Sequence, residues 1–204
     1  MGDETQETRQ KPPRATRLTL LCRGATASNR LSRLASDEPL LEREWERAER
    51  LAPLLPACDA VFCAPEASAR ETAALFGLHP AIAVPLRDVD YGRWNGLALE
   101  DIAAQGPADL QRWLSDPAAA PHGGESFAAA RTRCISWLDD QHAVGGHLLA
   151  ITHAIVLKLV LAHVLDAPLQ AIWRTDVEPF GALTLTSDGR RWALRFFGSP
   201  LAFA

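Results

Sequence analysis

Short apolar runs alternate along the chain with longer segments in which apolar residues recur every three or four positions. The runs at 17–22, 57–63, 81–85 and 148–152 have the length and composition of buried strands. The periodic segments predict helices at 39–55, 65–75, 98–105, 107–114, 126–142 and 154–165. Two further runs, at 182–186 and 192–197, flank Ser187-Asp188-Gly189 and predict a closing hairpin.

Strands that alternate with helices predict an α/β fold with a largely parallel sheet covered by helices on both faces. The segment between the third and fourth strands is long and helical, so we expect it to cap the site. In such a sheet, ligands bind at the carboxyl ends of the strands. Four groups of residues come at these ends, namely Cys22-Arg23, the segment 65–68, Asp88 and His153.

Composition indicates one domain and narrows the class of partner. The chain has 204 residues, of which 48% are hydrophobic, and this is enough for a large core. Residues 1–15 are polar and lack the apolar centre of a secretory signal, so we predict a flexible tail followed by one domain over 16–204. A net charge of −4 gives no long-range attraction for nucleic acid or an anionic membrane, and no apolar run is long enough for a bilayer.

Cysteine and histidine spacing predicts neither a disulfide framework nor a metal site. The four cysteines include no Cys-x-x-Cys pair, which favours reduced thiols and a cytoplasmic location. One pairing stays open, because Cys22 and Cys63 end strands that could be neighbours. The histidines show no ligand spacing, and we predict no metal and no cofactor.

Four sequence blocks carry the candidate chemistry. They are Leu21-Cys22-Arg23-Gly24-Ala25-Thr26 with the following Asn29, the segment 63–73 with Ser68, the segment 86–96 with Asp88, and Ile151-Thr152-His153-Ala154. In order and spacing they resemble the motifs of the histidine phosphatase superfamily, the phosphoglycerate mutase-like proteins. The resemblance implies a three-layer α/β/α fold with a mostly parallel sheet, and chemistry on phosphomonoesters.

The resemblance also implies a role for each matching position. In the family a neutral His attacks phosphorus, two Arg and a second His neutralise the phosphate oxygens, and an Asn commonly touches the phosphate. A carboxylic acid protonates the leaving group. This chain has Arg23 at the position of the nucleophile, Cys22 and Ser68 at those of the two Arg, Asp88 at that of the acid, and His153 and Asn29 at those of the second His and the Asn.

Arg23 cannot act as the nucleophile, because its guanidinium stays protonated and has no lone pair for attack. Its five donors can instead clamp a phosphate or a carboxylate. We therefore predict a divergent member that retains an anion pocket for a small phosphorylated or carboxylated ligand, has a possible protein partner, and is weak or inactive as a phosphatase. The alternative is an active phosphatase, phosphomutase-type or repurposed enzyme that uses His153, Asp88 and Arg23 on a small phosphorylated substrate.

The same positions also have ordinary structural interpretations. Arg23 could be a solvated residue at a strand end, His153 a core or helix-capping residue, and Asp88 a turn residue. Cys22 as a nucleophile would need an Arg six positions on, where the chain has Ser28, so we interpret it as a small residue that fills space.

Position in the chain also predicts where two further groups of side chains lie. Ser68 is expected to line the pocket or the helix surface, and Arg70 to point to a different face of the same helix. We expect Trp94 to line the pocket and the other Trp residues, at 45, 113, 137, 173 and 192, to pack in the core or between helices.

Overall fold

The strands form one six-stranded sheet. The computed structural model describes residues 15–34 and 37–198, so the predicted tail over 1–15 lies outside the described residues except for its last position. The strands are β1 (Thr16–Cys22), β2 (Ala60–Cys63), β3 (Ala81–Ile82), β4 (Gly146–Thr152), β5 (Ala182–Ser187) and β6 (Trp192–Gly198). The four predicted strands and the predicted hairpin are therefore all present.

The order across the sheet is β3-β2-β4-β1-β5-β6. Strands β3, β2, β4 and β1 are parallel, whereas β5 and β6 are antiparallel to their neighbours. The register places Cys22 opposite Thr152 and Cys63 opposite Ile151. Strand β4 thus lies between β1 and β2, and all three end at the same edge of the sheet.

Seven α-helices connect and cover the strands within the described residues. They are α1 (Ala27–Arg30), α2 (Glu44–Leu51), α3 (Ala67–Leu75), α4 (Leu99–Gln105), α5 (Pro107–Ser115), α6 (Phe127–Asp140) and α7 (Ala154–Val164). Helix α3 packs on β2 and β4, α7 packs on β1 and β6, and α6 packs on α7. Consecutive residues of β1 and β4 are buried, which requires cover on both faces of the sheet. The predicted α/β architecture is confirmed.

Two predicted elements are shorter in the structure than in the sequence analysis. The helix predicted at 39–55 begins only at Glu44, because Leu40 instead forms a β-bridge with Thr26. The strand predicted at 81–85 ends at Ile82, and a 3₁₀ turn takes up Val84–Leu86. Pro85 has no N–H to donate to a sheet, so it favours the turn.

Two of the Trp residues predicted to pack in the core or between helices are exposed. Trp45 is 62% exposed and Trp173 is 43% exposed. Trp45 stands in the first turn of α2, whose buried positions are Glu44, Ala48 and Leu51, and residue 45 lies on another face of that helix. The predicted core positions at 113, 137 and 192 are buried as expected.

The open disulfide between Cys22 and Cys63 is excluded by the strand order. Both thiols are buried and free. Their strands are not neighbours, since β4 runs between β1 and β2. Two sheet spacings amount to about 10 Å, which exceeds the reach of a disulfide. Among the helices described here, none is long and apolar enough to cross a membrane.

The predicted cap is joined to the site through two glycines. Gly92 has a φ of +48°, and a Cβ there would meet the carbonyl oxygen of His122. A Cβ on Gly124 would meet the carbonyl oxygen of Asp90. The same loops are joined by a hydrogen bond of 2.7 Å from the Glu125 N–H to the Asp90 oxygen. Side chains are therefore excluded where the loop before α6 crosses the loop that follows Asp88.

Replacement of Gly124 by Ala tests this close approach. Gly124→Ala forces the two backbones apart, and we expect the free energy of unfolding to fall by about 3 kcal/mol. The measurement is urea unfolding followed by circular dichroism. Gly106→Ala is the matched control, because residue 106 has a φ of −160° and its nearest neighbour lies 3.7 Å from the added Cβ. Equal stability of the two variants would contradict the crossing.

Candidate functional site

The site lies where β1, β2 and β4 end. Arg23 directly follows β1, His153 directly follows β4, and Glu66 comes three residues after β2. Because β4 is the middle strand of the three, His153 stands between the other two side chains. The carboxyl ends of parallel strands meet at one edge, so the predicted location of the site is where the structure brings these residues together.

Two carboxylates hold the imidazole of His153. Glu66 Oε2 lies 2.8 Å from Nε2, and Asp88 Oδ2 lies 3.2 Å from Nδ1. Glu66 Oε1 also accepts a hydrogen bond of 3.1 Å from the Asp88 N–H, which links the two carboxylate-bearing residues. His153 is 3% exposed, so these ion pairs are screened very little by water.

The two carboxylates set the protonation of the ring. Burial by itself lowers the pKa of His153, but the charge of Asp88 and the hydrogen bonds to Asp88 and Glu66 outweigh it and raise the pKa to about 9. Burial raises the pKa of Asp88, yet the charge of and hydrogen bond to His153 bring it below its usual range. His153 is therefore an imidazolium at neutral pH, and Asp88 is an ionised carboxylate.

Arg23 is buried beside this ring. Its Nη1 donates to the carbonyl oxygen of Gly24 at 2.7 Å and to Asn29 Oδ1 at 2.8 Å. Its Nε lies 3.3 Å from His153 Nδ1, which accepts that hydrogen bond when the ring is neutral and faces Asp88 when the ring is charged. Arg23, His153, Asp88 and Glu66 form a set of two cations and two anions, which we call the charge quartet. Its net charge is zero at neutral pH.

Two threonine hydroxyls join the four sequence blocks. Thr72 Oγ1 accepts a hydrogen bond of 3.0 Å from the Gly24 N–H and donates to the Ser68 carbonyl oxygen at 2.7 Å. Thr152 Oγ1 donates to the Leu86 carbonyl oxygen at 2.6 Å. The first block is thus tied to the second, and the fourth to the third.

A buried ion pair holds the loop that carries Asp88. Arg133 and Glu125 pair at 2.7 Å, and both side chains are nearly buried. The same guanidinium donates to the carbonyl oxygens of Pro85, Arg87 and Asp88 at 2.7 to 2.9 Å. An Arg with five donors suits this role, since each of these three carbonyl oxygens receives a charge-assisted hydrogen bond. Helix α6 of the cap therefore fixes the position of Asp88.

Two cavities of about 220 Å³ each meet at Asp88 and His153. The first, here called the acidic cavity, is lined by Asp37, Glu66, Arg87, Asp88, Val89, Asp90, Asn95 and His153. The second, here called the aromatic cavity, is lined by Arg23, Asn29, Arg33, Leu34, Asp88, Tyr91, Leu99, Trp113, Phe127, His153, Ala154, Ile155, Lys158 and Trp173. The cap contributes Leu99, Trp113 and Phe127 to the aromatic cavity, in agreement with its predicted position over the site.

The predicted site residues divide between the cavities and the core. Arg23, Asn29, Asp88 and His153 line the aromatic cavity. Cys22 and Ser68 are buried and are not among the lining residues of either cavity. Burial raises the pKa of the Cys22 thiol to about 12, so the thiol is protonated and unreactive at neutral pH.

The predictions for Trp94 and Arg70 have different outcomes. Trp94 does not line either cavity but packs behind the wall of the aromatic one, with its ring 5.7 Å from Trp113. Its own ring is buried. Arg70 is exposed on α3, on a different face from Ser68, as predicted.

Sequence reasoning missed several charged residues of the site, among them Glu66, Lys158 and Arg33. Glu66 carries a signal that could have identified it, since a carboxylate directly follows Pro65 at the carboxyl end of a strand. Lys158 is the one charged residue of the apolar helix α7, which is also a visible signal. Arg33 lies in a polar segment with several other charges, and nothing in the sequence distinguishes it.

The quartet does not form a metal site. Within the described ranges, no group of three or more His, Cys, Asp or Glu side chains is arranged to hold a metal ion. Glu66 and Asp88 contact different nitrogens of His153, on opposite sides of the ring. The two carboxylates are thus each engaged with the imidazolium, and they do not converge on one cation.

Comparison with known proteins agrees with this arrangement of strands and motifs. The family model of the histidine phosphatase superfamily (branch 1) matches residues 18–200. A bifunctional protein of Mycobacterium tuberculosis is 30% identical over 100 residues, which are 46% of this chain and 26% of that protein. The matched region thus spans about a quarter of that curated relative.

Two relatives match over most of the chain. The adenosylcobalamin/alpha-ribazole phosphatase of Escherichia coli is 28% identical over 176 residues, which cover 79% of this chain and 85% of that protein. The crystal structure of the alpha-ribazole phosphatase from Shigella flexneri superimposes with a TM-score of 0.79 at 25% identity, over 90% of this chain and 96% of that one.

The raised pKa of His153 predicts a loss of stability in alkaline solution. Below its ordinary pKa of 6.5 the ring is protonated in both the folded and the unfolded chain, and the full stabilisation is present. Above 6.5 the unfolded chain loses the proton first, so the stabilisation declines until the pH passes about 9. We expect a total loss of about 3 kcal/mol in the free energy of unfolding.

Urea unfolding between pH 6 and pH 8.5 measures most of this decline, at a pH below the ordinary thiol pKa of 9.0, above which buried Cys22 would add a decline of its own. His153→Gln should abolish it. His147→Gln is the control, because burial lowers the pKa of His147, a shift of opposite sign, and that variant should keep the alkaline decline. A decline of the same size in His153→Gln would show that another group causes it.

Proposed function

The chain belongs to the histidine phosphatase superfamily, and from that premise we propose that it is a divergent member that binds a small anionic ligand without hydrolysing phosphomonoesters. The observation that carries the proposal is the contact of Arg23 with His153 at 3.3 Å, at the position where the family motif has its nucleophilic His. A guanidinium has no lone pair to donate to phosphorus. The covalent step of the family reaction therefore has no nucleophile at this position.

The other two groups are in protonation states in which they cannot replace the missing nucleophile or protonate the leaving group. His153 is a charged ring between two carboxylates, so at neutral pH it can neither attack phosphorus nor accept a proton. Asp88 is ionised and holds no proton for a leaving group. These states favour a binding protein over the alternative of an active enzyme that uses Arg23, Asp88 and His153.

The anionic class of the ligand is supported by the cations of the aromatic cavity and by the relatives. Arg23, Arg33 and Lys158 line that cavity, and Asn29 lies beside them. Two of the relatives named above are called phosphatases, and a fold that accepts phosphorylated small molecules supplies a pocket for an anion. We propose that this chain retains the pocket and has lost the reaction.

Phosphomonoester turnover tests the proposal. We expect the chain to hydrolyse p-nitrophenyl phosphate at a rate at least about 10³-fold below that of an active phosphatase in the same assay. Arg23→His alone should leave the rate low, because Glu66 still occupies His153 and positions 22 and 68 still lack a cation. Release of p-nitrophenol at 405 nm is the measurement, with a commercial alkaline phosphatase as the positive control.

Turnover that depends on His153 would contradict the proposal. A wild-type chain that turns over the substrate well, and loses that turnover in His153→Ala, would overturn the proposal in favour of the repurposed enzyme. A wild-type activity that survives His153→Ala would indicate a contaminating phosphatase. The assay would then be repeated on chain purified by a second affinity step.

A further inference from the structure

The aromatic cavity carries a more specific assignment of the ligand. We propose that it binds a small aryl carboxylate, with the carboxylate against Lys158 and Arg33 and the aryl ring against Tyr91, Trp113 and Trp173. This rests on the proposed function, because the ligand is held and not consumed. It also moves the anion away from His153, where the family motifs alone would place it.

Glu66 is the reason that we place the ligand anion away from His153. Its carboxylate already lies 2.8 Å from Nε2 of His153, and the second nitrogen of that ring faces Asp88 at 3.2 Å. Both polar atoms of His153 are thus engaged by anions of the chain itself. A ligand anion at His153 would have to displace a largely buried carboxylate from the imidazolium, which is unfavourable in a site of low exposure.

Lys158 and Arg33 are the lining cations outside the charge quartet, and Arg33 is exposed. Arg23 is buried, and its Nη1 already donates to Gly24 and Asn29. Neither Lys158 nor Arg33 has a side-chain hydrogen bond or an ion pair with any residue of the described ranges, although both line the cavity. Lys158 is half-buried in a helix that is otherwise apolar. A cation in that setting gains most from an anion that enters the cavity with it.

The wall of the cavity selects a flat apolar group. The ring of Trp113 lies 5.1 Å from that of Trp173 and 6.2 Å from that of Tyr91, and Phe127 fills the space beside them at 5.1 Å from Trp113. Aromatic side chains prefer edge-to-face contacts at these separations, and an aryl ligand extends the same packing. The volume of about 220 Å³ suits one small ring, since an apolar cavity of roughly 150 Å³ holds benzene.

The charge of the cavity suits an anion. Asp88 lines the cavity and stays ionised, and it offsets only one of the four cations in the lining, which are Arg23, Arg33, His153 and Lys158. A carboxylate brings one charge and two acceptor oxygens, which match the donors of two cations.

Calorimetric titration of the full chain with sodium benzoate tests the assignment. We expect saturable binding of benzoate and binding of uncharged benzyl alcohol that is at least about 10-fold weaker. Lys158→Met should weaken benzoate about 10-fold or more, whereas Lys158→Arg keeps the charge and retains binding. Arg70→Met is the matched control, because it removes one positive charge from an exposed helical position outside both cavities.

Three results would overturn the inference. They are the absence of benzoate binding to the wild-type chain, equal binding by Lys158→Met and the wild type, and tighter binding of phenyl phosphate that depends on His153 but not on Lys158. The last of these would leave the proposed function intact, because it is still anion binding without chemistry. Hydrolysis of phenyl phosphate by the wild-type chain would instead overturn the proposed function. Thermal unfolding of each variant shows whether a loss of binding reflects a loss of fold.

Discussion

The structure at the edge of the sheet depends on the mutual neutralisation of four buried or nearly buried charges. His153 lies between Glu66 and Asp88, and Arg23 lies against the same ring. A buried charge without a partner costs several kcal/mol, so each member of this quartet is tolerated only because the others are present. The three strand ends, the loop that carries Asp88 and the start of α7 must therefore keep their relative positions for the fold to be stable.

The supporting contacts all act on the same loops. Arg133 and Glu125 hold the backbone of residues 85–88 from the cap, and Thr72 and Thr152 tie the remaining strand ends together. Such contacts give the loops one arrangement, which a set of close opposite charges requires. At this edge of the sheet Glu66 contacts His153, one of the residues that match the family motifs, and both carboxylates pair with the same imidazolium.

The contacts within the charge quartet decide which cations of the aromatic cavity can bind a ligand. With His153 and Arg23 occupied by groups of the chain, the free positive charge lies at Lys158 and Arg33, under an aromatic wall supplied largely by the cap. Charge and shape support the proposed ligand, an anion with a flat apolar body. Arg23 and Glu66 act on the same imidazole, one as a cation and the other as an anion.

The sequence by itself determined the class of fold and the place of the site. Alternating strands and helices predicted a parallel sheet, and four blocks at strand ends predicted where Arg23, Asp88 and His153 would meet, because local periodicity and chain order carry that information. Only the tertiary structure decided the partners of each residue. Strand β4 runs between β1 and β2, which places Glu66 on His153, separates Cys22 from Cys63, and leaves Cys22 and Ser68 in the core. Strand order and protonation depend on contacts between residues distant in sequence, such as Arg23 and His153, which are 130 positions apart, and no local pattern records them.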